Sequence, residues 1–412
     1  MLTPGQILPL TIDKPAAGGR MIARVDGQVV LVGGAIPGER VTARVERVAK
    51  GVAYADTLSA DEPSADRRAA PADPLCGGCL YAHIAYPRQL DLKSLVIADA
   101  FGRIAHLPLT SAVPVAASPE EGYRMRARLH VRGQHWGFFR EGTHEICDAR
   151  ATRQLLPATC ETLDRLVAEM RALGAADAAE IEISENVDAS ERVAHVDAPQ
   201  PLGADAIQRL AAVDGLTPGP YVTDVLTLDA YPPISLRRHV LAFFQGNRFL
   251  LRDLVAHVVA QVPEGGTAVD LYAGAGLFAI AAAVSRSARV TAVEGDRFAA
   301  ADLVANALES CAAVAPLHQA VETFTARPSA ASDVVILDPP RTGVSKEALA
   351  GVLRLRAPRL VYVSCDIATL ARDARRLVDG GYQLQHVDAF DLFPNTPHVE
   401  TVAVFEAKDL RM

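Results

Sequence analysis

Ala268-Val269-Asp270-Leu271-Tyr272-Ala273-Gly274-Ala275-Gly276 reads as an apolar strand that runs straight into a Gly-x-Gly turn and then into an Ala-rich helical stretch. Glycines at such a turn let the backbone approach a ligand closely at the carboxyl end of a strand in an open α/β sheet. One strand further on, an apolar run leads into Glu294, an acid placed to bind ribose hydroxyls. Asp270 lies just before the loop, and no third glycine completes Gly-x-Gly-x-x-Gly. Both features favour S-adenosylmethionine over a dinucleotide and leave a nicotinamide dehydrogenase as the minor alternative.

From about Ile234 onward, apolar strands alternate with Ala-rich helices, which predicts a doubly wound, Rossmann-like parallel sheet. Its strands are expected to end on chemistry. The run around Val335 stops at Asp338-Pro339-Pro340-Arg341-Thr342-Gly343, a loop stiffened by two prolines and able to hold a planar base. The next strand delivers Ser364-Cys365-Asp366 at the crevice where such sheets bind ligands. A lone cysteine is usually a small buried hydrophobe. Here a thiol beside a methyl donor answers a specific problem, because C5 of uracil is a poor nucleophile until a thiolate adds to C6. A base must then take the C5 proton, and Glu400 in His398-Val399-Glu400-Thr401 is the candidate.

These motifs together resemble the RNA 5-methyluridine (uracil-C5) methyltransferases, which act on tRNA and 23S rRNA. Phe243-Phe244-Gln245-Gly246-Asn247 is similar to the family's Phe-x-Gln-x-Asn segment, and the motifs from Asp270 to Glu400 follow in the family's order. The resemblance implies a class I methyltransferase domain, Cys365 as nucleophile and Glu400 as proton acceptor. It also implies Gln245, Tyr272, Gly274, Gly276, Glu294 and Asp338 at the cofactor, with Phe243 and Arg341 toward RNA. One departure is Leu277, where relatives often carry a polar residue. Another concerns an iron–sulfur cluster held by C-x5-C-x2-C and a fourth cysteine in many relatives. Only Cys76 and Cys79 match; Ala70 and Thr152 stand at the other two positions, with Cys147 or Cys160 as substitutes. Four thiolates are the usual requirement, so no cluster is favoured, and two free thiols flanking a Gly-Gly turn are expected instead.

Residues 1–60 read as short glycine-punctuated strands carrying five acids and seven bases, a small basic barrel in a chain of net charge −8. A structural barrel without a ligand is the bland alternative. Gly34-Ala35-Ile36-Pro37-Gly38-Glu39-Arg40-Val41 resembles the small RNA-binding (TRAM, OB-like) barrel that many members carry. A connection follows from Asp61 to Pro74, and residues 61–232 form a mixed α+β central region, with the methyltransferase domain at 233–412. In the central region Arg124, Arg126 and Arg128 alternate on one strand face, offering either phosphate contacts beside Trp136, Phe138 and Phe139 or an ordinary solvated face.

Half the residues are hydrophobic and 22% are charged, which excludes a disordered or fibrous chain. No apolar stretch approaches the roughly 20 residues of a membrane span, and the N-terminus lacks a secretion signal's basic and apolar regions. A cytoplasmic monomer is therefore expected, with six cysteines that do not form a disulfide scaffold. RNA is the expected partner, 23S rRNA before tRNA because of the fused barrel and long middle region. Two rivals stay open: a methyltransferase acting on an exocyclic nitrogen, which needs no thiol, and a non-catalytic RNA-binding protein.

Overall fold

The computed structural model describes residues 2–228, 231–327 and 330–408. Strands Ile7–Thr11, Lys14–Pro15, Met21–Val25, Gln28–Gly33, Arg40–Ala49 and Val52–Glu62 form one six-stranded sheet around a core that includes Leu10, Met21, Val30, Val41 and Val45. The expected strands are present. Val52–Glu62, which the sequence reading passed over, carries Asp56, Ser59, Asp61 and Glu62, yet it pairs with both Arg40–Ala49 and Gln28–Gly33. Glu39 explains the turn before it: its fully buried carboxylate accepts from the Ile36 amide at 2.8 Å, the Ser64 amide at 3.0 Å and Arg67 at 2.6 Å. Those bonds hold the segment after Asp61 against the barrel, so it is a pinned connection and not a loose one.

The helix Tyr86–Ala100 leads to an antiparallel five-stranded sheet in the order Ile146–Asp148, His135–Phe139, Arg126–Arg132, Asp177–Glu185, Arg192–Asp197. The helix Pro157–Ala172 covers it with Leu163, Leu166, Val167 and Met170.

The C-terminal part is an α/β sheet. Its elements are α1 (Leu251–Val259), β1 (Thr267–Leu271), α2 (Leu277–Ser285), β2 (Arg289–Glu294), α3 (Arg297–Glu309), β3 (Val314–His318), α4 (Val321–Thr325), β4 (Val334–Leu337), α5 (Lys346–Leu355), β5 (Arg359–Ser364), α6 (Ile367–Asp379), β6 (Tyr382–Phe390) and β7 (Glu400–Ala407). The order is β3-β2-β1-β4-β5-β7-β6, with β7 antiparallel to both neighbours and the short strand Val115–Ala116 added beside β6. The parallel strands are apolar on both faces because helices cover both. Leu254, Val258, Ile280 and Leu303 pack on one face, and Ile97, Leu349, Leu370 and Leu377 on the other. Ile97 belongs to Tyr86–Ala100, so the central region supplies a helix to this sheet. Among the described residues no helix is long and apolar enough to cross a membrane.

Candidate active site

The glycine loop leaves β1 with three consecutive demands on the backbone. Tyr272 takes φ 64°, Gly274 φ 57° and Gly276 φ 95°, the last at the N-cap of α2. A Cβ at Gly276 would lie 2.8 Å from Leu303 Cδ1, so glycine is required there for packing as well as for φ. Glu294 closes the loop from β2: one carboxylate oxygen accepts from the Gly274 amide at 2.7 Å and the other from the Asp296 amide at 2.7 Å. The Phe243 carbonyl sits over the same loop, 3.9 Å from where a Gly274 side chain would begin. Gln245 is buried and donates to Asp338 Oδ2 at 3.1 Å, tying the Phe243–Asn247 segment to the end of β4.

Burial, reinforced by Glu294, pushes the half-buried Asp338 carboxyl up to about 7 despite the bond from Gln245. Asp270 is fully buried, and neither of its carboxylate oxygens has a hydrogen-bond partner. Burial and then the nearby Asp338 hold it well above the usual carboxylate range. Orphaned acidic oxygens beneath a glycine loop, with Glu294 and Asp338 on its rim, form a donor-hungry cradle that fits an adenosyl ligand carrying hydroxyls and an ammonium.

Cys365 and Glu400 are brought together by strand register. β5 and β7 run antiparallel from Arg359↔Glu406 to Ser364↔Thr401, so Cys365 leaves the end of β5 close to Glu400 at the start of β7, whose charge reaches its thiol. Glu400 is buried and also pairs with Phe390 of β6. Its carboxyl is held well above the usual range by burial and by Asp338, with Arg341 pulling the other way. The half-buried Cys365 thiol is pushed up to about 12 by burial and by Glu400, again opposed by Arg341. Arg341 is exposed and is the cation that both reactive groups meet. His398 is held down at about 4 by burial and Arg341, so it is neutral at pH 7.

The loop that carries Glu400 is fixed by residues the sequence reading did not single out. Lys93 donates to Asp391 Oδ1 at 2.5 Å and to the Phe393 carbonyl at 3.2 Å. Gln89 and Asn395 exchange bonds of 2.9 Å, Tyr123 Oη donates to the Pro394 carbonyl at 3.1 Å, and Asn247 donates to the Leu392 carbonyl at 3.2 Å. A signal existed: Gln89 and Lys93 stand four apart, in line with Ile97, on the buried stripe of Tyr86–Ala100, where polar side chains need partners.

The arginine row and the cysteines depart from expectation. Arg126 and Arg128 do share one face, but Glu182 on the next strand engages both, at 3.2 and 2.5 Å. Arg124 precedes the strand, donates to the Arg126 carbonyl and to Gln154, and lies over Phe138, so it is internal and not a free phosphate donor. Trp136 and Phe138 are core residues. Cys76 is joined to Cys147 in a disulfide, correcting the expectation of a free thiol there. The adjacent strand pairing explains it, since Cys147 lies opposite Phe138 and Cys76 bridges to Arg140 two residues further along the chain. Cys79 stays free and buried. With Ala70 and Thr152 at the remaining positions and Cys76 engaged, this donor set does not fit a four-thiolate cluster.

Comparison with known proteins bears on the whole chain. Residues 2–58 match the TRAM domain, and residues 219–408 match the family described as tRNA (Uracil-5-)-methyltransferase. The 23S rRNA (uracil(1939)-C(5))-methyltransferase of Acidithiobacillus ferrooxidans is 34% identical over 98% of this chain and 97% of its own length. The chain belongs to the RNA uracil-C5 methyltransferase family. A Pseudomonas putida relative of the same description is 34% identical over 97% of this chain and 93% of its own. In fold, this family member is similar to the solved Pyrococcus abyssi tRNA (uracil-54, C5)-methyltransferase in complex with S-adenosyl-L-homocysteine, with TM-score 0.72 and 24% identity over 96% of this chain and 99% of that one.

Proposed function

We propose that this enzyme methylates C5 of a uridine in 23S rRNA with S-adenosylmethionine, using Cys365 as nucleophile and Glu400 as base. The observation that supports the reading is the antiparallel pairing of β5 and β7, which ends at Ser364↔Thr401 and so leaves Cys365 and the buried Glu400 near one another at that end of the sheet. Gln245, Tyr272, Gly274, Gly276, Glu294 and Asp338 are the residues that would hold the cofactor. Bound there, S-adenosylmethionine supplies an electrophilic methyl carbon to uracil C5.

The rest is the work of the chain. The Cys365 thiol gives its proton to solvent, with Arg341 favouring the thiolate, and its sulfur bonds to C6 while the C5–C6 π electrons move to C5. Once C5 carries the methyl group, Glu400 takes the C5 proton; those electrons rebuild the double bond and expel the thiolate. A carboxyl held high is a stronger base when ionised, so the rate rises with pH across the acid and neutral range. The target uridine must leave its stack to reach Cys365, with exposed Phe243 (59% accessible) offering a stacking face at the rim and Arg341 a cation. The expected TRAM barrel at 1–60 and central region at 61–232 serve as RNA-holding parts ahead of the 233–412 catalytic domain. The rRNA preference is supported by relatives named for 23S rRNA that align along nearly the whole chain. A ribosomal RNA substrate would set the enzyme in the cytoplasm, and because one chain holds every proposed site residue it can work as a monomer.

Cys365→Ala should abolish both product and covalent adduct, whereas Glu400→Gln should let an RNA adduct accumulate that survives denaturing gel electrophoresis. Normal turnover by either variant would remove that residue from the mechanism, and retained activity in Cys365→Ala would favour nitrogen methylation. Nucleoside mass spectrometry of separated rRNA and tRNA from cells with and without the gene tests the substrate: loss of 5-methyluridine from tRNA alone would reverse it.

A further inference from the structure

A second polar constellation lies between α1 and β6, further along β6 from the end that pairs with Glu400. The ladder between β6 and β7 slips between Leu384 and His386, leaving Gln385 as an extra residue. Such a bulge re-aims the side chains that follow it. After it, His386, Asp388 and Phe390 alternate onto one face of the strand, the face on which Leu254 and Val258 of α1 pack against Val402 and Val404. α1 adds His257 between those buried residues. The three side chains converge: His257 Nε2 is 3.4 Å and His386 Nε2 is 3.6 Å from the same oxygen, Asp388 Oδ2. One donor atom from each of the three can be chosen so that all lie within 4.8 Å of one another.

Three features distinguish this group from an ordinary surface ion pair. A tetrahedral zinc-type ion with bonds near 2.0–2.1 Å keeps its donors roughly 3.3–3.5 Å apart, close to the 3.4 and 3.6 Å that separate the two imidazole nitrogens from Asp388 Oδ2. His257 Nε2 is buried and makes no hydrogen bond, so a ring nitrogen is aimed into the cluster without a partner. The rings are also preset, His257 standing edge-on to Phe390 at 5.4 Å.

We propose that His257, His386 and Asp388 form a binding site for a zinc-class divalent transition metal, separate from the methyl-transfer site. Two imidazoles and a carboxylate suit zinc, cobalt(II) or nickel(II) rather than calcium or magnesium, and leave one position to water. His386 pairs with Val404, four residues along β7 from Glu400, so the ion would lie roughly 13 Å from the proposed base at 3.3 Å per residue. It would act as a staple holding α1 to β6, a strand near the sheet edge, and take no part in the reaction.

The test uses the full chain, stripped with a chelator, in a Cys311→Ser background that removes the exposed thiol. Cobalt(II) titration should give one equivalent with tetrahedral d–d bands and no thiolate charge-transfer band, and zinc should displace it and raise the melting temperature. His386→Gln and Asp388→Asn should each weaken binding at least tenfold and erase the zinc-dependent rise, while the metal-free melting temperature and methyl transfer stay as in the parent. No saturable cobalt or zinc binding would overturn the proposal, as would a thiolate band or affinity unchanged in both variants.

Discussion

Replacing Lys93 by methionine deletes one charge from a pair in which both side chains are sealed from water, 1% and 0% accessible, and separated by 2.5 Å. Methionine keeps the stem's volume, so packing is little changed and the electrostatic loss is isolated. Asp391 is then left buried without a counter-charge, with the Phe393 amide at 3.2 Å on the oxygen Lys93 had held and the Tyr86 hydroxyl nearby. Breaking a buried pair from one side costs about 3–5 kcal/mol, because the orphaned charge keeps its desolvation penalty. At about 2–4 °C per kcal/mol for a domain of this size, the melting temperature should fall by roughly 10 °C. Adding Asp391→Leu should restore at least half of that, since an apolar pair has no charge to strand. The same loop leads to Glu400, so kcat should fall in Lys93→Met while cofactor affinity, set by the glycine loop, stays near the parent's. Thermal melts by circular dichroism and calorimetric cofactor titration read both. A single variant melting within 2 °C of the parent, or a double variant no better than the single, would refute the reasoning; the 2 °C threshold is about 1 kcal/mol or less on that scale.

Gly276→Ala forces a Cβ to within 2.8 Å of Leu303 and 3.0 Å of Ile280 at φ 95°, so it should cost about 1–3 kcal/mol and weaken S-adenosylmethionine binding at least tenfold by calorimetry. Glu39 gives a pH signature: burial alone would raise its carboxyl, but Arg67 and the Ser64 and Ile36 amides outweigh that and hold it below its ordinary 4.5. Stability from this group is therefore full above pH 4.5 and lost as pH falls through the lower folded value, and Glu39→Gln should flatten that acid limb in urea titrations.

The sequence alone determined the parts whose signal is local. An apolar strand feeding Gly274 and Gly276, an acid one strand later, and Cys365 at the end of an apolar run are each written within a few residues, because turn geometry and strand burial are short-range demands. It was equally clear that strands and helices alternate after Ile234. What it did not contain was anything set by pairing across distance. Val52–Glu62 is polar enough to pass for a loop and becomes a strand only between two partners. The arginine face looked free until Glu182 arrived from a strand more than fifty residues away. Cys76 and Cys147 met through strand pairing across a separation of 71 residues. Lys93 and Gln89 went unremarked in the sequence because their partners, Asp391 and Asn395, lie some three hundred residues away. Above all, Cys365 and Glu400 were named separately by motif, and it is the antiparallel pairing of β5 on β7 that brings the end of one strand to the start of the other.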